Sequence, residues 1–145
     1  MSTQRLPTPP PSVSALLPVL VVEDDSSFSR LVANALEFRG MTVEQYSSAE
    51  AAVARLRERR FGLAVVDLLL FGGNSGVYVI DTIRKLPAEW RPPVLIVTGA
   101  SADHLRSLDR SLVKAVIFKP IDIDLFVSFA FAAHANGVRR TAGPG

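Results

Sequence analysis

The sequence predicts an α/β domain with a doubly wound (βα)5 arrangement: five parallel strands covered by helices on both faces. Three observations carry this prediction. Short runs dominated by Val, Leu, Ile and Ala recur along the chain, which suits strands buried on both sides. Stretches with apolar residues at helical spacing separate them. Gly, Pro, Ser or Asp residues punctuate the junctions where helices start and stop.

Val19-Leu20-Val21-Val22 is the first strand. Ser26 or Ser27 can cap the next helix, whose apolar positions are Phe28, Leu31, Val32, Ala35 and Leu36. Gly40 ends it, as a residue that tolerates positive φ should. Thr42-Val43-Glu44-Gln45-Tyr46 reads as the second strand, and Ser47-Ser48-Ala49-Glu50 has the form of a capping box. That box opens a helix through Ala51, Val53, Ala54 and Leu56. Leu63-Ala64-Val65-Val66 is the third strand and delivers Asp67 at its end. A loop at 72–76 leads to a helix at 77–86 with Val79, Ile80 and Ile83 inward. Pro87, Pro92 and Pro93 bracket the connection to the fourth strand, Val94-Leu95-Ile96-Val97, which ends at Thr98. A weaker helix is expected at 101–112. Ala115-Val116-Ile117-Phe118 forms the fifth strand, with Lys119-Pro120 directly after it. Asp122 or Asp124 starts a last helix running to about Ala135.

At 145 residues the chain fits one domain. Residues 1–16 are rich in Pro, Ser and Thr and are expected to be an extended or disordered arm. The folded domain is expected at 17–136, with a flexible polar tail at 137–145. Sixteen Lys and Arg against 14 Asp and Glu leave a net charge of +2, which gives no global drive toward nucleic acid or a membrane surface. The absence of cysteine excludes disulfides, thiolate metal sites and Cys nucleophiles. The apolar stretch from Ser14 to Val22 contains Pro18 and runs into Glu23-Asp24-Asp25, unlike a signal peptide. No apolar stretch approaches membrane-spanning length, and a cytoplasmic location is expected. Met1 and the arm suggest a complete protein.

In open α/β sheets, ligands bind at the carboxyl ends of the strands. Those ends carry Glu23-Asp24-Asp25, Asp67, Thr98 and Lys119. Crowded carboxylates repel one another unless a cation is present. Oxygen ligands without His or Cys suit a hard cation, and Mg²⁺ favours carboxylates, waters and phosphate oxygens. Asp67 then reads as a nucleophile toward a phosphoryl group, giving an acyl phosphate. Lys119 would pair with a phosphoryl oxygen and Thr98 would hydrogen-bond another. Structural roles compete: Glu23 and Asp25 suit a helix N-terminus, and Asp67 or Thr98 could serve a turn. Residues 72–76 lack the Gly-Lys-Ser/Thr ending of a phosphate-binding loop. His104 and His134 read as exposed or structural, Arg57-Glu58-Arg59-Arg60 as a solvated helix end, and Arg139-Arg140 as no sign of DNA binding.

Val-Val-Glu-Asp-Asp (21–25), Val-Val-Asp (65–67), Val-Thr-Gly (97–99) and Phe-Lys-Pro (118–120) occur in order, each closing an apolar strand. Together they resemble the bacterial response regulator receiver domain, over roughly Pro18 to Asn136. The resemblance implies a flavodoxin-like fold with strand order 2-1-3-4-5. It also implies Asp67 as phosphoacceptor, and Glu23, Asp24, Asp67 and the Leu69 backbone carbonyl as Mg²⁺ ligands. Thr98 becomes the switch hydroxyl, Lys119 the phosphate-contacting lysine, and the bond before Pro120 is expected to be cis. Three positions depart from the family pattern: Phe71 replaces a usual proline, Gly76 comes one residue late, and Val116 stands where an aromatic residue is common.

The leading expectation is a single-domain response regulator that takes phosphate from a histidine kinase or phosphotransfer protein. It signals by protein contact to an unknown output partner. It is expected not to be an enzyme, beyond assisting its own phosphorylation and dephosphorylation. The alternative is a phosphorylation-independent receiver-like binding module. An aspartyl-nucleophile phosphatase ranks below both, because Leu69 stands where such enzymes carry a second acid. The last helix is apolar all round, so Phe126, Phe129 and Phe131 are interface candidates, with a homodimer as one expected arrangement.

Overall fold

The computed structural model of the chain describes residues 17–70, 75–99, 105, 108 and 111–141. Its elements are β1 (Val19–Val22), α1 (Ser26–Phe38), β2 (Val43–Tyr46), α2 (Ala49–Leu56), β3 (Leu63–Val66), α3 (Ser75–Lys85), a 3-10 turn (Ala88–Trp90), β4 (Val94–Thr98), β5 (Val113–Phe118) and α4 (Ile123–Thr141). The expected arm at 1–16, most of the helix expected at 101–112, and Phe71 to Asn74 lie outside the described residues.

All five strands are parallel, in the order β2-β1-β3-β4-β5. Every residue of β1, β3 and β4 is buried, as their unbroken apolar runs require in a sheet covered on both sides. Side chains alternate between two apolar layers. Leu20, Val22, Ala64, Val66, Val94 and Ile96 pack with Val53 and Leu56 of α2 and Val79, Ile80 and Ile83 of α3. Val19, Val21, Leu63, Val65, Leu95 and Val97 pack with Val32 and Leu36 of α1 and Phe126, Val127, Ala130 and Ala133 of α4. Each fully buried Leu, Ile or Phe contributes about 1.5–3 kcal/mol of transfer free energy, so these layers are the main force closing the domain.

Several local expectations are corrected. Of the caps the sequence offered for α1, the structure uses Asp25, whose carboxylate accepts from Phe28 N at 3.1 Å, and neither Ser26 nor Ser27. The helix buries Ser29 and Ala33 beside Val32 and Leu36 and leaves Leu31 half exposed. Ser29 is accommodated because its hydroxyl donates to Gln45 Oε1 at 2.9 Å, satisfying the buried polar group. Ser48 caps α2 through Ala51 N at 3.2 Å, one residue after the expected box began. Helix α4 continues to Thr141 instead of stopping near Ala135. A glycine such as Gly137 lowers helix propensity by about 1 kcal/mol, too little to end a helix already packed on the sheet.

Phe126 is fully buried, so it is not an interface residue. With Val127, Ala130 and Ala133 it forms the inward stripe of α4, at offsets of one, four and seven residues. Leu125, Phe129 and Phe131 point outward and are 54%, 42% and 48% exposed.

At the amino edge of the sheet, His134 of α4 is buried and its Nε2 lies 3.0 Å from the carbonyl oxygen of Leu17. Gly62 lies beneath the ring; a Cβ there would stand 2.8 Å from His134 Cδ2. Gly62 N donates to Pro18 O at 2.9 Å, so this contact fastens the start of β1 to β3 and α4.

Candidate functional site: an acidic pocket at the carboxyl edge

The strand order reverses between β1 and β3, and their carboxyl ends are level, with Val22 paired to Val66. The next residue of each strand therefore enters the crevice where ligands bind in such sheets. Asp67 N donates to Val22 O at 3.0 Å and Glu23 N to Tyr46 O at 3.0 Å, so the ladder itself places both acids. On the other side, Lys119 N donates to Thr98 O at 3.0 Å, which carries β5 to the same level. The Lys119-Pro120 peptide is cis.

Glu23, Asp67 and Thr98 are buried. Thr98 Oγ1 donates to Asp67 Oδ1 at 2.9 Å, and Leu69 N donates to the same oxygen at 3.0 Å. Lys119 Nζ bridges Asp67 Oδ2 at 3.0 Å and Glu23 Oε1 at 2.8 Å. Asp25 N donates to Glu23 Oε2 at 3.1 Å. Glu23, Asp67, Thr98 and Lys119 thus meet in one cluster, with a carboxylate oxygen of Asp24 beside them, whereas Leu69 enters through its N–H, not through the carbonyl expected as a ligand.

Carboxylate oxygens of Glu23, Asp24 and Asp67 lie within 4.8 Å of one another. The set contains oxygen donors alone, which fits a hard divalent cation. Electrostatics supports that fit. Burial raises the Glu23 pKa above its ordinary value, and the Lys119 contact only partly offsets it. Lys119 is less enclosed; burial pulls its pKa down, but hydrogen bonds to Glu23 and Asp67 outweigh that and leave it raised. One ammonium therefore does not fully compensate the buried acids, and a divalent cation would relieve the remainder.

Two contributors were not apparent in the sequence reading. Phe28, expected only as a core position of α1, holds its ring 4.6 Å from Lys119 Nζ. Gly76, expected only as a late glycine, packs against the backbone of Asp67 and Leu68. A Cβ there would run into Asp67 O and lie 2.6 Å from Leu68 Cα, and Gly76 N donates to Leu68 O at 3.3 Å. A glycine at the start of the helix after an acidic strand end was the available signal for close backbone approach.

The fold and pocket define a doubly wound α/β domain with an acidic site at its topological switch point. The chain belongs to the response regulator receiver domain family, whose pattern matches residues 19–130. It is 37% identical over 111 residues to the acid tolerance regulatory protein ActR of Sinorhizobium medicae, covering 73% of this chain and 54% of that protein. It is 37% identical over 84 residues to the photosynthetic apparatus regulatory protein RegA of Rhodobacter capsulatus, covering 58% and 45%. The chain spans about half the length of the curated relatives it matches. Among solved structures, a CheY-like receiver domain protein from Methanospirillum hungatei superposes with a TM-score of 0.76 at 23% identity, covering 86% of this chain and 98% of that one. The receiver domain of NtrX from Brucella abortus gives 0.70 at 28% identity, covering 80% and 97%. Among the described residues, no helix is long and apolar enough to cross a membrane.

Proposed function

We propose that this receiver domain accepts a phosphoryl group on Asp67 from a histidine kinase or phosphotransfer protein, in the cytoplasm. The observation that carries the proposal is the surroundings of one carboxylate. Asp67 is 5% exposed, yet both its oxygens face polar groups, Thr98 and Leu69 N on one and Lys119 on the other. A purely structural acid at a strand end needs no lysine contributed by another strand and no second acid beside it.

Glu23, Asp24 and Asp67 would hold Mg²⁺, with the Leu69 carbonyl as a further ligand. The ion would supply positive charge beside the transferring oxygens. The Asp67 carboxylate attacks phosphorus and forms an O–P bond. The donor's bond to phosphorus breaks, and its electron pair leaves with the donor. Lys119 is placed to exchange its hydrogen bond to Asp67 for one to a phosphoryl oxygen, and Thr98 to follow the new charge. Thus the protein is a phosphoacceptor switch that assists its own phosphorylation and dephosphorylation and no other reaction. Output runs through protein contact, for which exposed Leu125, Phe129 and Phe131 of α4 offer a surface to an output partner or a second copy.

Incubation with acetyl phosphate and millimolar Mg²⁺ tests the reading. A mass gain of one phosphoryl group, lost in Asp67→Asn and on chelation, is expected. Unchanged mass, together with unchanged amide spectra around Asp67 in beryllofluoride and Mg²⁺, would favour a phosphorylation-independent binding module instead.

A further inference from the structure

Lys119 has a third contact, to Phe28, which the phosphoacceptor site does not explain. Its ammonium sits against Glu23, Asp67 and the face of Phe28, with the ring centroid 4.6 Å away. The Phe28 side chain is partly buried against the apolar layer of α1 and α4. Phe28 belongs to the first turn of α1, and its N–H donates to the capping carboxylate of Asp25 at 3.1 Å. Asp25 N in turn donates to Glu23 Oε2 at 3.1 Å. The contacts form a closed circuit from Glu23 to Asp25, to Phe28, to Lys119, and back to Glu23 Oε1 at 2.8 Å.

We propose that Phe28, held by Asp25, is the positioning residue for the Lys119 ammonium. A lysine is a point charge on a flexible four-carbon stem with considerable rotamer freedom. Its two carboxylate contacts are the ones that must change when a divalent cation takes Glu23 and Asp67 oxygens, or when charge moves onto a phosphoryl group. An aromatic face attracts the ammonium through its quadrupole. It carries no net charge and does not compete with the anions for them. Phe28 thus keeps Lys119 over the pocket while its anionic partners exchange. Asp25, the acid left over from the cluster, acts by setting the rotation of the first turn of α1. The part of this role that concerns phosphoryl transfer rests on Asp67 being the acceptor.

The test compares Phe28→Leu, which keeps apolar bulk without the π face, with Phe28→Tyr and Phe28→Trp, which keep the face. The chain has three lysines, Lys85, Lys114 and Lys119, so the Lys119 ε-methylene signal can be assigned by elimination. In metal-free protein that signal should be shifted upfield by the ring. It should return to the ordinary lysine position in Phe28→Leu, return partway in Asp25→Ala, and stay upfield in Phe28→Tyr and Phe28→Trp. Phosphorylation by acetyl phosphate should slow about threefold to tenfold in Phe28→Leu and be restored by the aromatic variants. An unshifted methylene in the unsubstituted protein, or Tyr and Trp variants as slow as Leu, would overturn the proposal. A shifted methylene in a protein that takes no phosphate would retire the phosphoacceptor reading and leave the Lys119 seat standing.

Discussion

At the carboxyl edge of the sheet, Glu23, Asp67 and Lys119 meet beside Asp24, and Thr98 completes the cluster from β4. At the amino edge His134 is buried against the Leu17 carbonyl and the backbone of Gly62. The two arrangements use polar burial for different ends. An uncharged imidazole that donates to one carbonyl has its buried N–H satisfied and carries no charge that a ligand must offset. Three carboxylates beside one ammonium leave an excess of negative charge, and burial adds to its cost by raising the Glu23 pKa; a divalent cation can relieve both. One edge is a fastening and the other a site.

The largest effect that distinguishes them should come from Lys119→Met. Without the ammonium, Glu23 and Asp67 confront each other in a buried pocket. Breaking one partner from a buried ion pair costs about 3–5 kcal/mol. About 3 kcal/mol is expected, because the Lys119 side chain is 27% exposed and water reaches that side of the pocket. Millimolar Mg²⁺ should recover much of the loss by binding the folded state more tightly than it binds the unsubstituted protein. Urea melts with and without Mg²⁺ measure both terms. A variant equally stable without the ion, or no better stabilised by it, would mean that the lysine is not the internal counter-ion of the acids.

The two glycines sharpen the comparison, since each lies under one edge. Gly76→Ala drives its Cβ into the backbone of Asp67 and Leu68, which cannot rotate away. A loss of about 2 kcal/mol is expected, even after the helix-propensity gain of alanine. Gly62→Ala meets a side chain, the His134 ring, which can partly yield; about 1 kcal/mol is expected. The double variant Gly62→Ala/His134→Ala should lose less than the sum of its parts, because the collision disappears. Gly76→Ala should also slow phosphorylation, whereas Gly62→Ala should leave it alone. Additive losses at Gly62 and His134 in a double-mutant cycle would break the assignment of the ring as the obstacle.

How much of this was legible in the sequence follows from which physical signals run along the chain. The ends of β1, β3 and β4 were readable because buried parallel strands are unbroken apolar runs, and that of the half-exposed edge strand β5 because Lys119-Pro120 follows its apolar run directly. Glu23, Asp24, Asp67, Thr98 and Lys119 could therefore be gathered at one edge from their positions along the chain. Helix rotation was not readable to the same degree. In α1 the sequence left Asp25, Ser26 and Ser27 all open as the cap; with Asp25 in that place the first turn presents Phe28 to Lys119 while Leu31 faces out. In α4 the apolar residues surround the axis, leaving no polar stripe to show that Phe126 is inward and Phe129 outward. His134 was legible as structural, but its partners Leu17 and Gly62 are joined to it only by the sheet.

The smallest effect is pH dependence, and it separates the two edges by sign. Burial holds the His134 pKa below its ordinary 6.5, with the Leu17 hydrogen bond opposing. Between the lowered folded value and 6.5 the unfolded chain binds more protons, so stability rises with pH in that interval. The contribution of His134 is therefore full above 6.5 and is lost as pH falls through the folded value. Lys119 behaves oppositely: its raised pKa gives stability that is full below the ordinary 10.5 and lost as pH rises through the folded value. Melts at about pH 7.5 and about pH 5.5 should show a drop that shrinks in His134→Gln, whose side-chain amide remains neutral on acidification. Phe28→Leu should leave that acid limb unchanged, because Phe28 contacts the other edge. An acid limb identical in His134→Gln would move the titrating group elsewhere and leave the amino edge fastened by packing alone.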